Sequence, residues 1–343
     1  MTVEPFSLPL ASPLETAGGT IDERRGFVVR SDHRGETGVG EATPLPGWTE
    51  SLDDCRTALD TASVADSGAL RELDAAEVPA ARHGAATAML DADARADGLP
   101  LYRWFDADRR CRSIPANATV GDGTAEETVA AAAEAVESGF GCCKLKVGGR
   151  SVEEDVERVR AVREGIGEDV TLRADANGAW TRSEAESAFD RFASLGVEYV
   201  EQPLAADDLA GHADLRGGSV GVALDESLAQ KRAGAVFDAD AADVLILKPM
   251  VLGGPGDAYT LAMQARERGI EPVVTTTIDA VVARLAAVHV AAAIPDVAAC
   301  GLATGDRLAR DLAADPATVS DGQISVPRSA GLGVDPSEVR TDA

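Results

Sequence analysis

From about Ser113 onward, short β-type runs recur every 22 to 30 residues, separated by alanine-rich stretches of helical character. The runs cover residues 114–120, 142–147, 170–176, 197–203, 220–226, 243–249, 272–278 and 297–302. Alternating β and α segments dictate a parallel sheet. Eight such units within about 190 residues predict a closed barrel. The competing arrangement is an open doubly wound sheet, but no Gly-x-Gly-x-x-Gly follows any of the runs.

The segment before the barrel has another character. Residues 27–30 and 38–41 are short strand candidates around a polar turn, and 44–48 form a loop by composition. Residues 51–66 and 79–97 follow as helices, the first with Ser51 as N-cap and Asp53 and Asp54 in its opening turn. This predicts a small α+β module over residues 1–112, with the barrel over 113–304. The tail, 305–343, lacks the barrel period and is expected to pack back on the module.

The formal net charge is −26, which argues against nucleic acid as a partner. Such an acidic surface fits a high-salt cytoplasm, where screening weakens self-repulsion. Only four of the 32 basic residues are lysines: Lys144, Lys146, Lys231 and Lys248. A chain that avoids lysine should keep it where arginine cannot substitute, as in proton transfer. The five cysteines include no Cys-x-x-Cys, so reduced, packed thiols are expected and not disulfides or zinc. The first residues do not read as a signal peptide, and the apolar stretch 280–294 is too short and too charged to span a bilayer. A cytoplasmic protein that does not bind membranes is expected.

Polar residues interrupt the runs near their C-terminal ends, where barrel active sites are built. Lys144 and Lys146 are two apart and share a face, as do Arg173, Asp175 and Asn177. The next runs end in Glu201-Gln202-Pro203, Asp225-Glu226 and Lys248-Pro249. The second and sixth staves of an eight-stave ring lie opposite each other, so Lys146 and Lys248 should face across the mouth. Asp175, Glu201 and Asp225 lie on the arc between them.

Three converging carboxylates need a cation, and hard oxygen donors without His or Cys favour Mg2+, with Mn2+ as a substitute. A divalent ion could bind a substrate carboxylate while Lys146 removes the adjacent proton, its pKa lowered by Lys144. Lys248 could donate a proton or stabilise a planar intermediate. A lone acid at a strand end is ordinarily a helix cap, and a lone Lys-x-Lys is ordinarily surface charge. Five such residues on five successive runs, spaced 29, 26, 24 and 23 apart, are not explained that way. Alternation selects Asp225 over Glu226 as ligand and leaves Glu226 in support. Asn177 supports by hydrogen bonding, and Arg173 either partners the carboxylates or contacts substrate.

Lys144-Leu145-Lys146, Asp175-Ala176-Asn177-Gly178, Glu201-Gln202-Pro203, Asp225-Glu226-Ser227 and Lys248-Pro249 resemble the motif series of the enolase superfamily, muconate-lactonising subgroup. Within it the chain is most similar to the o-succinylbenzoate synthases, through Pro13-Leu14, Gly18-Gly19-Thr20, Arg24-Arg25-Gly26 and the segment 38–47. The resemblance implies an α/β fold, a modified (β/α)7β TIM barrel under a capping domain built from both termini. It implies Mg2+ on Asp175, Glu201 and Asp225, Lys146 as base and then acid, and Lys248 as a cation–π stabiliser. The reaction implied is dehydration of 2-succinyl-6-hydroxy-2,4-cyclohexadiene-1-carboxylate to 2-succinylbenzoate in menaquinone biosynthesis. Loops near 16–25 and 45–48 would close over this small carboxylate substrate. Thr276, Ile278, Asp279, Gly301 and Leu302 are in position to line the pocket.

Other readings use the same residues. N-succinylamino-acid racemases and dipeptide epimerases employ such a two-lysine site for 1,1-proton transfer. A Schiff-base lyase or aldolase could act through Lys248. A binding barrel without catalysis is a further alternative.

Overall fold

The computed structural model describes every residue except 17–18, 65–72, 232 and 343, and the side chains of 15, 16 and 64 are also left aside. The chain opens with a three-stranded antiparallel sheet, β1 (Thr2–Thr16), β2 (Gly19–His33) and β3 (Glu36–Ala42), in the order β1-β2-β3. These strands far exceed the short runs expected. Pro5, Pro9 and Pro13 hide β1 from a sequence pattern, yet proline is tolerated on an edge strand such as this one. Helices α1 (Leu52–Val64), α2 (Pro79–Ala96) and α3 (Leu101–Phe105) follow. The Ser51 hydroxyl accepts the Asp54 N–H at 3.1 Å, as an N-cap should. The expected end of this helix, at 65–66, lies outside the described residues. Helix α2 lies directly on β3, where a side chain at Gly40 would collide with the Gly84 carbonyl.

The barrel has seven parallel strands in ring order: β5 (Ala118–Val120), β6 (Cys142–Lys146), β7 (Thr171–Asp175), β8 (Val197–Glu201), β9 (Gly221–Leu224), β10 (Val244–Leu247) and β11 (Glu271–Val274). Between them run α4 (Ala125–Glu137), α5 (Val152–Ile166), α6 (Arg182–Ala193), α7 (Leu209–Leu215), α8 (Glu226–Gln230), α9 (Ala233–Asp238) and α10 (Pro255–Arg266). Helices α4, α5 and α6 each start with a reciprocal Ser/Thr–Glu capping box. These boxes fix where each strand-to-helix loop ends.

The first and last expected strands differ from expectation. The run at 114–120 is broken: β4 (Ser113–Pro115) pairs antiparallel with β13 (Gln323–Ser325), itself paired with β12 (Val319–Ser320), and only the second half enters the barrel. At 297–302 the eighth stave is reduced to two bridges, Ala116↔Cys300 and Thr275↔Gly301, which close the ring. The close approach explains the shortness, because a Cβ on Gly301 would stand 2.5 Å from Thr275 Oγ1. Around these closures the core is apolar and built largely of Val, Leu and Ala. The architecture is a modified (β/α)7β barrel with an α+β cap.

Helix α11 (Val281–Ala293) is buried on every side. It joins the cap to the barrel, since Glu41 of β3 accepts the N–H groups of Ala280 and Ala283, each at 2.9 Å. The tail returns to the cap through the Leu10↔Leu308 bridge and an Arg30 bond to the Val339 carbonyl at 2.8 Å. Among the described residues no helix is long and apolar enough to cross a membrane.

Candidate active site

Ladder register assembles the site. Lys146 pairs with Asp175, Asp175 with Glu201, and Glu201 with Ala223, which places Asp225 two residues beyond the last pair. Lys248 follows β10 directly. All five residues therefore stand at the C-terminal mouth of the barrel. The carboxylates are deeply buried, with 2%, 3% and 5% exposure for Asp175, Glu201 and Asp225. Lys146 is the open member at 37%.

The lysines engage the acids directly. Lys146 Nζ donates to Asp175 Oδ2 at 2.7 Å and to Asn177 Oδ1 at 2.8 Å. Lys144 Nζ lies 2.7 Å from Glu201 Oε2 and 3.3 Å from Asp175 Oδ2. Lys248 Nζ donates to Asp225 Oδ2 at 2.6 Å and sits 3.5 Å from the centroid of the Trp48 ring. Trp48 comes from the cap, so the cap loop roofs Lys248. Arg24, also from the cap, bonds the carbonyls of Thr43 at 2.9 Å and Ile278 at 3.2 Å, tying the cap sheet to the end of stave seven.

Burial and mutual repulsion shape the titration of the acids. Burial pushes Glu201 up, Asp175 and Asp225 add repulsion, and Lys144 opposes, leaving it at about 7. Asp225 is also raised, by burial against the pull of Lys248. Burial would raise Asp175 too, but Lys144 and Lys146 overcome it and hold its carboxyl well below the usual range. Burial acts to lower Lys144, yet Glu201 and Asp175 carry it well above its ordinary value. Its charge is thus directed at two carboxylates.

Among the described residues no three of His, Cys, Asp or Glu are arranged to hold a metal ion. Asp175, Glu201 and Asp225 each accept a hydrogen bond from a lysine ammonium. The donor set still fits a divalent cation. Three buried acids and the half-buried Glu226 face three lysines, and three of the four are raised by burial and repulsion. Glu226 Oε2 is buried without a hydrogen-bond partner, while its Oε1 accepts from Asn177 Nδ2 at 3.0 Å.

Two residues gain roles that the sequence did not assign. Trp48 partners Lys248, as described above. Gln202 holds a left-handed backbone (φ 43°) and is fully buried. Its Oε1 accepts the N–H groups of Asp225 at 3.1 Å and Ser227 at 3.0 Å, so it fixes the backbone of one acid beside another, Glu201. The available signal was a polar residue wedged between Glu201 and Pro203, directly after β8.

The remaining expected residues are dispersed. Arg173 neither partners the mouth carboxylates nor reaches the mouth. It bonds Glu198 and the Ala299 carbonyl, each at 2.6 Å, and lies over the Tyr199 ring, toward the opposite end of the barrel. Two residues on the same face of one strand are still about 7 Å apart along it, enough to separate the two ends. Thr276 bonds Thr304 at 3.2 Å, and Ile278 takes a left-handed backbone (φ 60°) just past β11. Asp279 turns inward to Thr277, Gly301 lies in the closing bridge, and Leu302 is fully buried.

Residues 127–340 match the model of the family described as enolase C-terminal domain-like. The chain belongs to the enolase superfamily. Its relatives place it in the general muconate-lactonising and o-succinylbenzoate-synthase-like group. It is 30% identical to the L-Ala-D/L-Glu epimerase of Bacillus subtilis, over 96% of this chain and 94% of that one. The substrate-liganded structure of that epimerase superimposes with a TM-score of 0.87, covering 97% of each chain at 30% identity. The o-succinylbenzoate synthase of Thermobifida fusca is 39% identical, over 66% of this chain and 69% of its own. A dipeptide epimerase from Enterococcus faecalis, solved with Mg and the dipeptide L-Leu-L-Tyr, gives a TM-score of 0.85 at 26% identity, covering 97% and 98%. The comparisons back proton transfer better than the dehydration expected from sequence.

Proposed function

We propose that this chain is a Mg2+-dependent epimerase or racemase that moves the proton next to the carboxylate of a dipeptide or N-acylated amino acid. One observation carries the reading: Lys146 and Lys248 flank the buried acids from β6 and β10, the second and sixth staves. Opposite-face lysines suit removal of a proton from one side and its return from the other. Asp175, Glu201 and Asp225 would hold the ion, supported by Glu226 and Asn177. The bound ion would supply Lewis-acid charge that acidifies the carbon next to the substrate carboxylate. Lys146 takes the proton in one direction, and Lys248 delivers one on the far face. The cap loop carrying Trp48 shields Lys248 from solvent. Thr276 and Ile278, just past β11, would contact the rest of the substrate.

A second reading has its own support. The 39% identity to the Thermobifida fusca synthase favours dehydration, and the clamping of Lys248 between Asp225 and Trp48 suits a fixed electrostatic role. Lys146 would then act alone, as base and as acid to the departing hydroxide.

Chiral chromatography of a dipeptide and N-succinylamino-acid panel with Mg2+ tests the first reading, and o-succinylbenzoate absorbance tests the second. Inverted isomers without o-succinylbenzoate support epimerisation. O-succinylbenzoate formation from its cyclohexadiene precursor, with no inversion across the panel, replaces it with dehydration. A borohydride-trapped adduct on Lys248 would overturn both.

A further inference from the structure

Lys146 ends β6, and its ladder is one-sided. On one flank it pairs with Asp175, but on the other β5 runs out at the pair Val120↔Leu145. Two side chains of α5 hold the open flank. Arg158 Nη2 donates to the Lys146 carbonyl and, at 3.0 Å, to Asp155 Oδ1. Asp155 Oδ2 in turn accepts the Gly148 N–H at 2.6 Å. One ion pair thus grips the chain on both sides of Val147, whose own N–H goes to the Asp175 carbonyl at 2.8 Å.

The arrangement is tightly confined. Arg158 is 2% exposed and Asp155 not at all. Gly148 has φ of +87°, and a Cβ there would stand 2.8 Å from that of Ala179. Arg158 Nη1 lies 3.3 Å from Asp122 Oδ1, in the loop after β5, while Arg158 Nε has no partner. Burying a charged pair carries a desolvation cost that apolar residues of similar size would avoid. What the pair adds is direction: a donor aimed at one carbonyl and an acceptor aimed at one N–H. Lys146 has a long, flexible side chain, so the placement of its Nζ depends on how firmly its Cα is held.

We infer that Arg158 and Asp155 are positioning residues for Lys146, standing in for the strand that its open flank lacks. The inference rests on Lys146 being the proton-transfer base.

The test uses Arg158→Gln, Asp155→Asn and Arg158→Lys in the full chain with Mg2+. Only four lysines are present, so peptide mass spectrometry can follow the labelling rate of each amine separately. In Arg158→Gln, kcat should fall by up to about 100-fold. KM should stay within about threefold. The Lys146 labelling rate should change severalfold while Lys231 and Lys248 keep theirs, and Arg158→Lys should recover most of kcat. Wild-type kcat in a folded Arg158→Gln protein would overturn the inference, as would equal labelling changes at Lys146 and Lys248. If Arg158→Gln does not fold, Asp155→Asn decides by the same comparison, since its amide oxygen can still accept the Gly148 N–H. Should Lys146→Ala remain active, the function reading fails, and labelling alone then decides whether the pair holds Lys146.

Discussion

Each acid at the mouth has a distinct electrostatic position, and single substitutions separate them. Lys146→Ala should lower turnover by about 10²–10⁴-fold, the usual contribution of a general base. Its circular dichroism and melting temperature should match the parent protein. Glu201→Gln removes the acid that burial, Asp175 and Asp225 hold at about 7, and Mg2+ affinity measured by calorimetry should weaken. An unchanged isotherm would remove Glu201 from the ligand set. Gln202→Leu strands the buried N–H groups of Asp225 and Ser227, at about 1–3 kcal/mol for each group left unpaired. Urea denaturation would show it. Lys146, Asp175, Glu201, Asp225 and Lys248 could be grouped from the sequence because each stands near the C-terminal end of its run. Gln202 and Trp48 were not assigned, because their roles depend on partners on other elements. Arg173 shared a face with Asp175, but facing alone does not specify height along the barrel.

The elements were legible where local chemistry repeats. Strand-to-helix spacing marks most of the barrel. Strand β1 was missed because three prolines suppress its pattern, and its length comes from pairing with β2. The eighth stave was overestimated because its ring-closing contacts need only Cys300 and Gly301. That closure is also vulnerable. Gly301→Ala would press a methyl group against Thr275 and should destabilise the protein by about 1–3 kcal/mol, read as an earlier thermal transition. Unaltered melting would show that the closing stave gives way without cost.

For the whole molecule, buried histidines link stability to pH. His289 is fully buried, and burial, against a bond to the Leu332 carbonyl, pulls it down from 6.5 to about 4. The unfolded chain therefore binds more protons between these values. Its stabilising contribution is complete above about pH 6.5 and falls as pH drops toward 4, by about 3 kcal/mol in all. His289→Gln should flatten the stability–pH curve across that window. A net charge of −26 adds self-repulsion, so molar KCl should raise the melting temperature through screening.

The central claim is that Lys146 removes a proton next to a substrate carboxylate in the barrel mouth. Proton NMR in D2O with Mg2+ and a turned-over substrate measures this directly. With the isomer that presents its hydrogen to Lys146, deuterium should replace the hydrogen on the carbon next to the carboxylate in the parent protein and not in Lys146→Ala. Equal incorporation by both proteins would contradict the account.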